Sequence, residues 1–507
     1  MDVVIESIWA ACSLSNLLPA LFGVVVGIAI GALPGFSVTM GVAVLFPLTL
    51  MFDGSGGIMM LLGIYVGAVY GGSISAILLN TPGTPASMVT TMEGYPLTQR
   101  GEGDKALTLS TVASVIGGLV SALVLTFLSP MLAKFALKFS AAEYFILSVF
   151  GLSIIISISS ECLAKGLIGG VIGLLIATIG VDSFTGYTRF TFDSMYLMSG
   201  ISFVPILIGL FAFSQIIINT LDNGMDETAS VELKTSFRKT LSHLKLISKL
   251  KITLLRSSLI GTFIGSIPGA GGDVAAFISY NETRRSAKNG ETFENGNLRG
   301  LVSPEAANNA VTGGAMVPLL TLGIPGDAVA AIILGAFMIQ GLQPGPLLFA
   351  EHASDIYMIF AGLFIINIML LVLGLFGVKF FTKITEVPRP LLNTMILVLC
   401  VIGSFSINNN VLDVFLMIAS GFVGYFLIRE KFGVAPIILG IILGPMLESN
   451  LRRALILSNG DYSIFITRPI ALGLLVLTVA SLVSPIVKSL LNKRKIEQDT
   501  LKGVPHE

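Results

Sequence analysis

The stretch GSIPGAGGDVAAFISY, residues 265–280, decides how this chain folds. Apolar runs flank it, yet it holds a proline, four glycines and an aspartate. An uninterrupted membrane helix avoids that mixture. A version of it, GALPGFSVTMGVAV at residues 31–44, stands near the other end of the chain. The two stretches together imply a duplicated, interrupted membrane segment.

The surrounding sequence supports a membrane setting. Of 507 residues, 54 % are hydrophobic and 12 % charged, against about 25 % charged in soluble domains. Mean hydropathy is +0.89. Apolar runs of bilayer-spanning length recur throughout, near 15–52, 58–92, 106–129, 141–160, 163–181, 197–220, 252–280, 305–341, 355–382, 389–406, 411–428, 433–447 and 469–491. Lipid leaves no partner for unpaired backbone groups, so such spans are helices. They lack the alternation of barrel strands. The expected fold is an all-α polytopic membrane protein of roughly a dozen transmembrane helices.

Net charge is zero and points to no partner, and nucleic acid is not expected. Cys12, Cys162 and Cys400 are too scattered for a metal or disulfide framework. His243, His352 and His506 lie in polar stretches and are expected to face solvent rather than hold a metal. The N-terminus lacks the basic start of a secretory signal.

A polar linker at 221–251 separates an N-terminal half, 1–220, from a C-terminal half, 252–487, with a tail at 488–507. Lys234, Arg238, Lys239, Lys245, Lys249, Lys251 and Arg256 place the linker in the cytoplasm by the positive-inside rule. Lys488, Lys493, Arg494 and Lys495 place the tail there too.

The halves match in order. Gly31–Gly35 aligns with Gly265–Gly269 at an offset of 234 (265 − 31). Ala68–Gly72 aligns with Ala310–Gly314 at 242 (310 − 68), and Pro82-Gly83 with Pro325-Gly326 at 243 (325 − 82). Loops after equivalent segments carry opposite basic bias: Arg284, Arg285, Lys288 and Arg299 follow the second segment, and none follows its first-half mate. The repeats are therefore expected to be inverted, as in many secondary transporters.

Each Pro-Gly ends one half-helix and begins another. Irregular backbone at membrane depth is tolerated where protein buries it or where it lines a wet cavity. Half-helices starting there point free N–H groups at a shared space, which suits an anion. The candidate substrate-binding residues are Pro34, Gly35, Ser37 and Thr39; Asn80, Thr81, Pro82, Gly83 and Thr84; Pro268, Gly269, Gly271 and Gly272; and Pro325 and Gly326, with Thr321 just before them. No Lys or Arg occurs in these stretches, so a carboxylate held there relies on amides and hydroxyls and is released easily. The competing reading makes each break a kink whose freed groups neighbouring helices satisfy.

Asp273 and Asp327 each precede a Val-Ala-Ala or Ala-Val-Ala-Ala run. Each is either a helix cap or a holder of the coupling Na⁺ or proton. Asn308 and Asn309, in the stretch that begins near Glu305, either line the cavity or cap and pack a helix start. Glu448 and Arg452 are spaced as a stabilising i,i+4 pair, beside Arg453.

At these residues the chain resembles a known family, the large membrane subunit of the tripartite tricarboxylate transporters. The segments GALPGFSVTMGVAVLFPLT, YGGSISAILLNTPGTPAS, IPGAGGDVAAFISY, SPEAANNAVTGG, LTLGIPGD and LGPMLESNLRRALILSNGD carry the likeness, in order, over about 15–490. The resemblance implies a bacterial inner-membrane permease that works with a small membrane subunit and a periplasmic solute-binding protein. It implies uptake of citrate or other organic carboxylates driven by Na⁺ or H⁺, and no enzymatic activity or cofactor. The family's Pro-Gly segments fall on Pro34-Gly35, Pro82-Gly83, Pro268-Gly269 and Pro325-Gly326, and its Glu-Ala-Ala-Asn-Asn segment on Glu305–Asn309. Two rivals remain: a passive carboxylate channel and an intramembrane aspartyl protease. The tetrapeptides ending at Asp273 and Asp327 do not fit the protease's Gly-x-Gly-Asp pattern.

Overall fold

The computed structural model describes residues 2–52, 54–158, 163–182, 184–221, 237–287, 290–384 and 387–483. Most of the basic linker's acidic-to-basic transition (222–236, with Lys234), the tail 488–507, Cys162, Lys288 and His506 lie outside them. The described chain is all-α apart from one two-stranded ribbon, Gly180–Val181 paired with Thr188–Arg189. Among the described residues seven helices are long and apolar enough to cross a bilayer, and five shorter apolar helices accompany them. This agrees with the polytopic all-α fold expected from the apolar runs.

The chain forms two compact units. One comprises Met1–Leu137 and Val204–Tyr425, and holds all four Pro-Gly segments. Within it the most apolar 18-residue stretch of Gly54–Leu79 is wholly buried, while in that of Pro390–Asn408 22 % of residues are buried. The first lies at the core of the unit. The second presents side chains such as Met395 and Ile402 outward, as a lipid-facing helix does.

The other unit comprises Lys138–Phe203 and Phe426–Glu507. Its helices Ala141–Ile158 and Leu163–Ala177 pack on Ala435–Leu457. The Glu448–Arg452 pair forms as spaced, at 2.7 Å. It also does more: Arg452 reaches Asp182 at 2.8 Å, and Arg189 binds both Glu448 oxygens at 2.7 and 3.1 Å. These bonds fasten the ribbon to the helix end.

Glycine ridges explain the core of the first unit. Gly23, Gly27 and Gly31 line one side of Leu14–Ala32, and Gly63, Gly67 and Gly71 one side of Gly54–Leu79. A Cβ on any of them would overlap backbone of the facing helix, so these small residues let the helices approach closely.

The second half repeats these contacts at fixed offsets. Gly27 sits on the Ile64 carbonyl, and Gly261 on that of Ala307. Gly71 sits on the Ile28 carbonyl, and Gly314 on that of Thr262. Gly83 lies against Gly31 O and Gly72 Cα, and Gly326 against Gly265 O and Ala315 Cα. The first helix of each pair follows the offset of 234 (261 − 27), and the second 243 (307 − 64). The middle alignment read as 242 is therefore off by one. Gly71 matches Gly314 because packing selects the glycine that faces its neighbour, and the Gly-Gly doublet hid that register.

Each Pro-Gly joins a long helix to a short one. Leu14–Ala32 leads to Val38–Thr49, Gly54–Leu79 to Met88–Gln99, Ile247–Gly265 to Gly271–Arg285, and Leu298–Leu322 to Ala328–Ile339. The short members have 12 or 15 residues. At 1.5 Å per residue they reach about 18–22 Å, less than the roughly 30 Å hydrocarbon core.

Candidate functional site

The four breaks come in two kinds. Leu33-Pro34-Gly35-Phe36 and Ile267-Pro268-Gly269-Ala270 are tight turns, closed by Phe36 N–H to Leu33 O at 3.3 Å and Ala270 N–H to Ile267 O at 3.1 Å. Their glycines have φ of +86° and +84°. Proline followed by glycine in that region is the pattern of a type II turn. The other two breaks follow a left-handed helix terminus, Asn80 at φ +57° and its 243-offset mate Gly323 at +72°. Asn and Gly are the residues that accept this conformation most readily. Asn80 and Thr81 are exposed, and Asn80's place is thus set by ending the helix.

Helix starts follow each break. The Ser37 hydroxyl accepts from Met40 N–H at 3.1 Å, and Thr39 is half-buried in the same first turn. Thr84 begins a single 3₁₀ turn, donating its N–H to Ser87 Oγ at 3.1 Å. Asp327 caps Ala328–Ile339, accepting from Ala330 N–H at 2.7 Å. Asp273 differs: it lies in the first turn of Gly271–Arg285, exposed, and the cap position is Ala270 with no side-chain bond. The two aspartates, alike in sequence, hold unlike places. Asp327 matches Thr84 at the 243 offset, and Asp273 matches Thr39 at 234.

The breaks meet across the repeats. In the second half Gly269 N–H donates to Gly326 O at 2.6 Å and ties its two breaks together, whereas in the first half Gly83 N–H folds back onto Gly72 O, inside the helix before its own break, at 3.3 Å. The short helix Val38–Thr49 then packs on Ala328–Ile339, and Gly271–Arg285 on the turn Pro85–Ser87. Each arm from one repeat's first break thus lies on the arm from the other repeat's second break.

Tyr65 bridges the repeats by its side chain, whereas its equivalent packs within its own repeat. Tyr65 donates its hydroxyl to Asp327 Oδ2. Asn308, its mate at 243 (308 − 65), lies beside Gly272, which also neighbours Ala86. The Ala86, Val89, Ala276 and Tyr280 side chains close the apolar side of this crossing.

Asn308 and Asn309 are buried in the middle of Leu298–Leu322, so the reading that has them cap a helix start does not hold. The cap is Asn297, which accepts from Arg299 N–H at 2.8 Å and Gly300 N–H at 3.1 Å. The helix begins earlier than its polar sequence suggests, because Glu305 is absorbed into the core. Thr321 is buried and bonds back to Val317 O at 2.7 Å. Pro34 is half-buried and Gly35 exposed, while Pro268, Pro325 and Gly326 are buried and Gly269, Gly271 and Gly272 half-buried. His243 does not simply face solvent. Its Nε2 lies 3.6 Å from Asp104 Oδ2 with the side chain 19 % exposed, because the short helix Phe237–Leu244 packs on Gly103–Ala136.

Sequence reasoning missed Tyr65 and the surroundings of Glu305. Applying the 243 offset to Asn308 leads directly to Tyr65. Glu305 is 1 % exposed and receives hydroxyl donors from three other helices. The signal for it was an acid inside an otherwise small and apolar helix. Among the described residues no cluster of three or more His, Cys, Asp or Glu forms a metal site.

A sequence model described as the tripartite tricarboxylate transporter TctA family matches residues 17–439. Over 487 residues the chain is 39 % identical to an uncharacterized 52.8 kDa protein in the TAR-I ttuC' 3' region of Agrobacterium vitis, covering 96 % of each chain. An uncharacterized protein in the TAR-II ttuC' 3' region of the same organism is 41 % identical over 234 residues, 46 % of this chain and 97 % of that one. No solved structure matches the chain.

Proposed function

The chain belongs to the tripartite tricarboxylate transporter TctA family, and we propose that it is the large permease subunit of a binding-protein-dependent carboxylate uptake system. In this reading it sits in a bacterial inner membrane with its C-terminus in the cytoplasm. A small membrane subunit accompanies it, and a periplasmic solute-binding protein delivers an organic di- or tricarboxylate. Entry is secondary active, coupled to Na⁺ or H⁺.

The crossing of the four Pro-Gly breaks is the observation that carries the proposal. The turns and helix starts offer backbone N–H groups, the Ser37 and Thr84 hydroxyls and the buried Asn308 amide, with no Lys or Arg in the segments. Such a surface binds a carboxylate through dipoles and hydrogen bonds and gives it up again. Asp327 and Asp273 supply negative charge beside it. An anionic substrate tolerates them there only with a cation between, and that requirement gives coupling a physical basis. Opposed repeats that meet at such a site suit alternating exposure to the two sides.

Cells that express the chain with its two partner subunits, and otherwise identical cells lacking it, are compared for uptake of labelled carboxylates. The proposal expects uptake that needs the chain and saturates. Equal uptake in its absence would overturn the assignment.

A further inference from the structure

Away from the crossing, Glu305 is surrounded by hydroxyls. Ser73 on Gly54–Leu79 donates to both carboxylate oxygens at 2.6 and 2.8 Å. Thr90 on Met88–Gln99 donates to Oε1. On Gly103–Ala136, Ser110 and Ser114 donate to Oε2 at 2.8 and 3.1 Å. All five residues are buried. Among the described residues no Lys, Arg or His pairs with this acid. One turn along the same helix face, Asn309 is 1 % exposed and its Oδ1 has no hydrogen-bond partner.

Two features argue against a purely structural acid. A carboxylate buried among packed helices is costly even when hydrogen-bonded. The repeat frame also does without it: at the 243 offset, Glu305 corresponds to Leu62 (305 − 243) and Ser73 to Met316 (73 + 243), both buried and apolar. The same fold packs hydrocarbon at the equivalent place, so the charge belongs to one repeat alone.

The donor pattern suggests what neutralises the charge. An ionised carboxylate only accepts, and here every hydroxyl donates a hydrogen bond to it, so the surroundings suit the ionised form. Protonation would put a donor where four donors already point. Each hydroxyl keeps oxygen lone pairs, and Asn309 adds an unused carbonyl oxygen. A carboxylate ringed by neutral oxygens, with no nitrogen or sulfur, is the donor set of a hard cation. We propose that Glu305, Ser73, Thr90, Ser110, Ser114 and Asn309 form a Na⁺ site, separate from Asp273 and Asp327. Tyr70, bonded to Thr111 Oγ1 at 2.8 Å, and Glu93, held by Tyr280 and two backbone amides, are titratable groups on the helices that pack here. Both already have partners.

The test uses the purified full chain in detergent, without substrate or partner subunits, so it does not depend on which solute is carried. Thermal unfolding and ²²Na⁺ binding are followed as Na⁺ replaces choline at constant ionic strength. A ligand that binds the folded state raises the unfolding temperature saturably. The wild type is expected to show this rise, Glu305→Gln to lose it, and Ser110→Ala to need roughly tenfold more Na⁺, since a hydrogen bond to a charged group is worth about 1.4 kcal/mol or more. Ser110→Ala keeps the inference testable if Glu305→Gln fails to fold. A wild type that ignores Na⁺ but responds to acidification would overturn the proposal in favour of a proton. A Na⁺ response retained unchanged in Glu305→Gln would overturn it in favour of another site. Failure here leaves the uptake result untouched, because uptake is scored separately.

Discussion

Asp327 does two jobs that substitution can separate. One oxygen caps Ala328–Ile339 through Ala330 N–H, and the other receives the Tyr65 hydroxyl. Asp327→Ala removes a helix cap, about 1 kcal/mol. It also leaves the Tyr65 hydroxyl, on a side chain 2 % exposed, without its acceptor, about 1–3 kcal/mol. The sum is roughly 2–4 kcal/mol. Asp327→Asn keeps one oxygen for the cap, and Asn caps about as well as Asp, while its amide NH₂ can donate to the Tyr65 oxygen in place of the lost acceptor, so it is expected to cost under about 1 kcal/mol. Combining Asp327→Ala with Tyr65→Phe removes the stranded hydroxyl, so the double variant should cost about 1–2 kcal/mol less than the two singles added. Thermal unfolding of the purified variants measures this order. If Asp327→Ala is no less stable than Asp327→Asn, the cap and the Tyr65 bond contribute nothing and the reasoning fails. The Asn variant then isolates charge: if Asp327 holds the coupling ion, its uptake depends differently on cation concentration, and an unchanged dependence makes Asp327 a cap alone.

Gly83→Ala and Gly326→Ala should each cost at least about 1–3 kcal/mol and lower the yield of folded protein, because the methyl meets backbone of the paired break. Gly473→Ala, with nothing within 4 Å of the added carbon, should be neutral or slightly stabilising in the same thermal assay. The Asp182 carboxyl, outside the spans, is held well below the usual carboxylate range by Phe184 N–H, with Arg452 and Thr185 adding to it. Its contribution is therefore fully present above the unfolded value of about 3.9 and is lost only as pH falls through the lower folded value. Amide exchange across 180–189 should be independent of this group from about pH 5 upward. Asp182→Asn should speed that exchange, and a change in protection near neutrality that vanishes in the variant would contradict the assignment.

Apolar run length made the helices legible, because lipid forces backbone pairing within each segment. The Pro-Gly breaks were legible for the related reason that only those residues make such turns cheaply. The partners across the breaks were not. Asp273 and Asp327 share a local sequence, yet one is an exposed first-turn residue and the other a bridged cap, because that difference depends on which helix crosses nearby. Ser73, Thr90, Ser110 and Ser114 look like ordinary small residues of membrane helices. Only packing turns their hydroxyls toward Glu305. The Gly71-Gly72 doublet likewise fits two registers until the facing Ile28 carbonyl selects one.

The central claim is that this chain moves a carboxylate uphill at the expense of a cation gradient. It is tested most directly in proteoliposomes holding the chain and its small subunit, with the solute-binding protein and labelled carboxylate outside. An imposed Na⁺ or H⁺ gradient should drive the solute above its external concentration, and collapsing that gradient should abolish accumulation. Equilibration that stops at equal concentrations, with or without the gradient, would make the chain a passive channel and contradict the account.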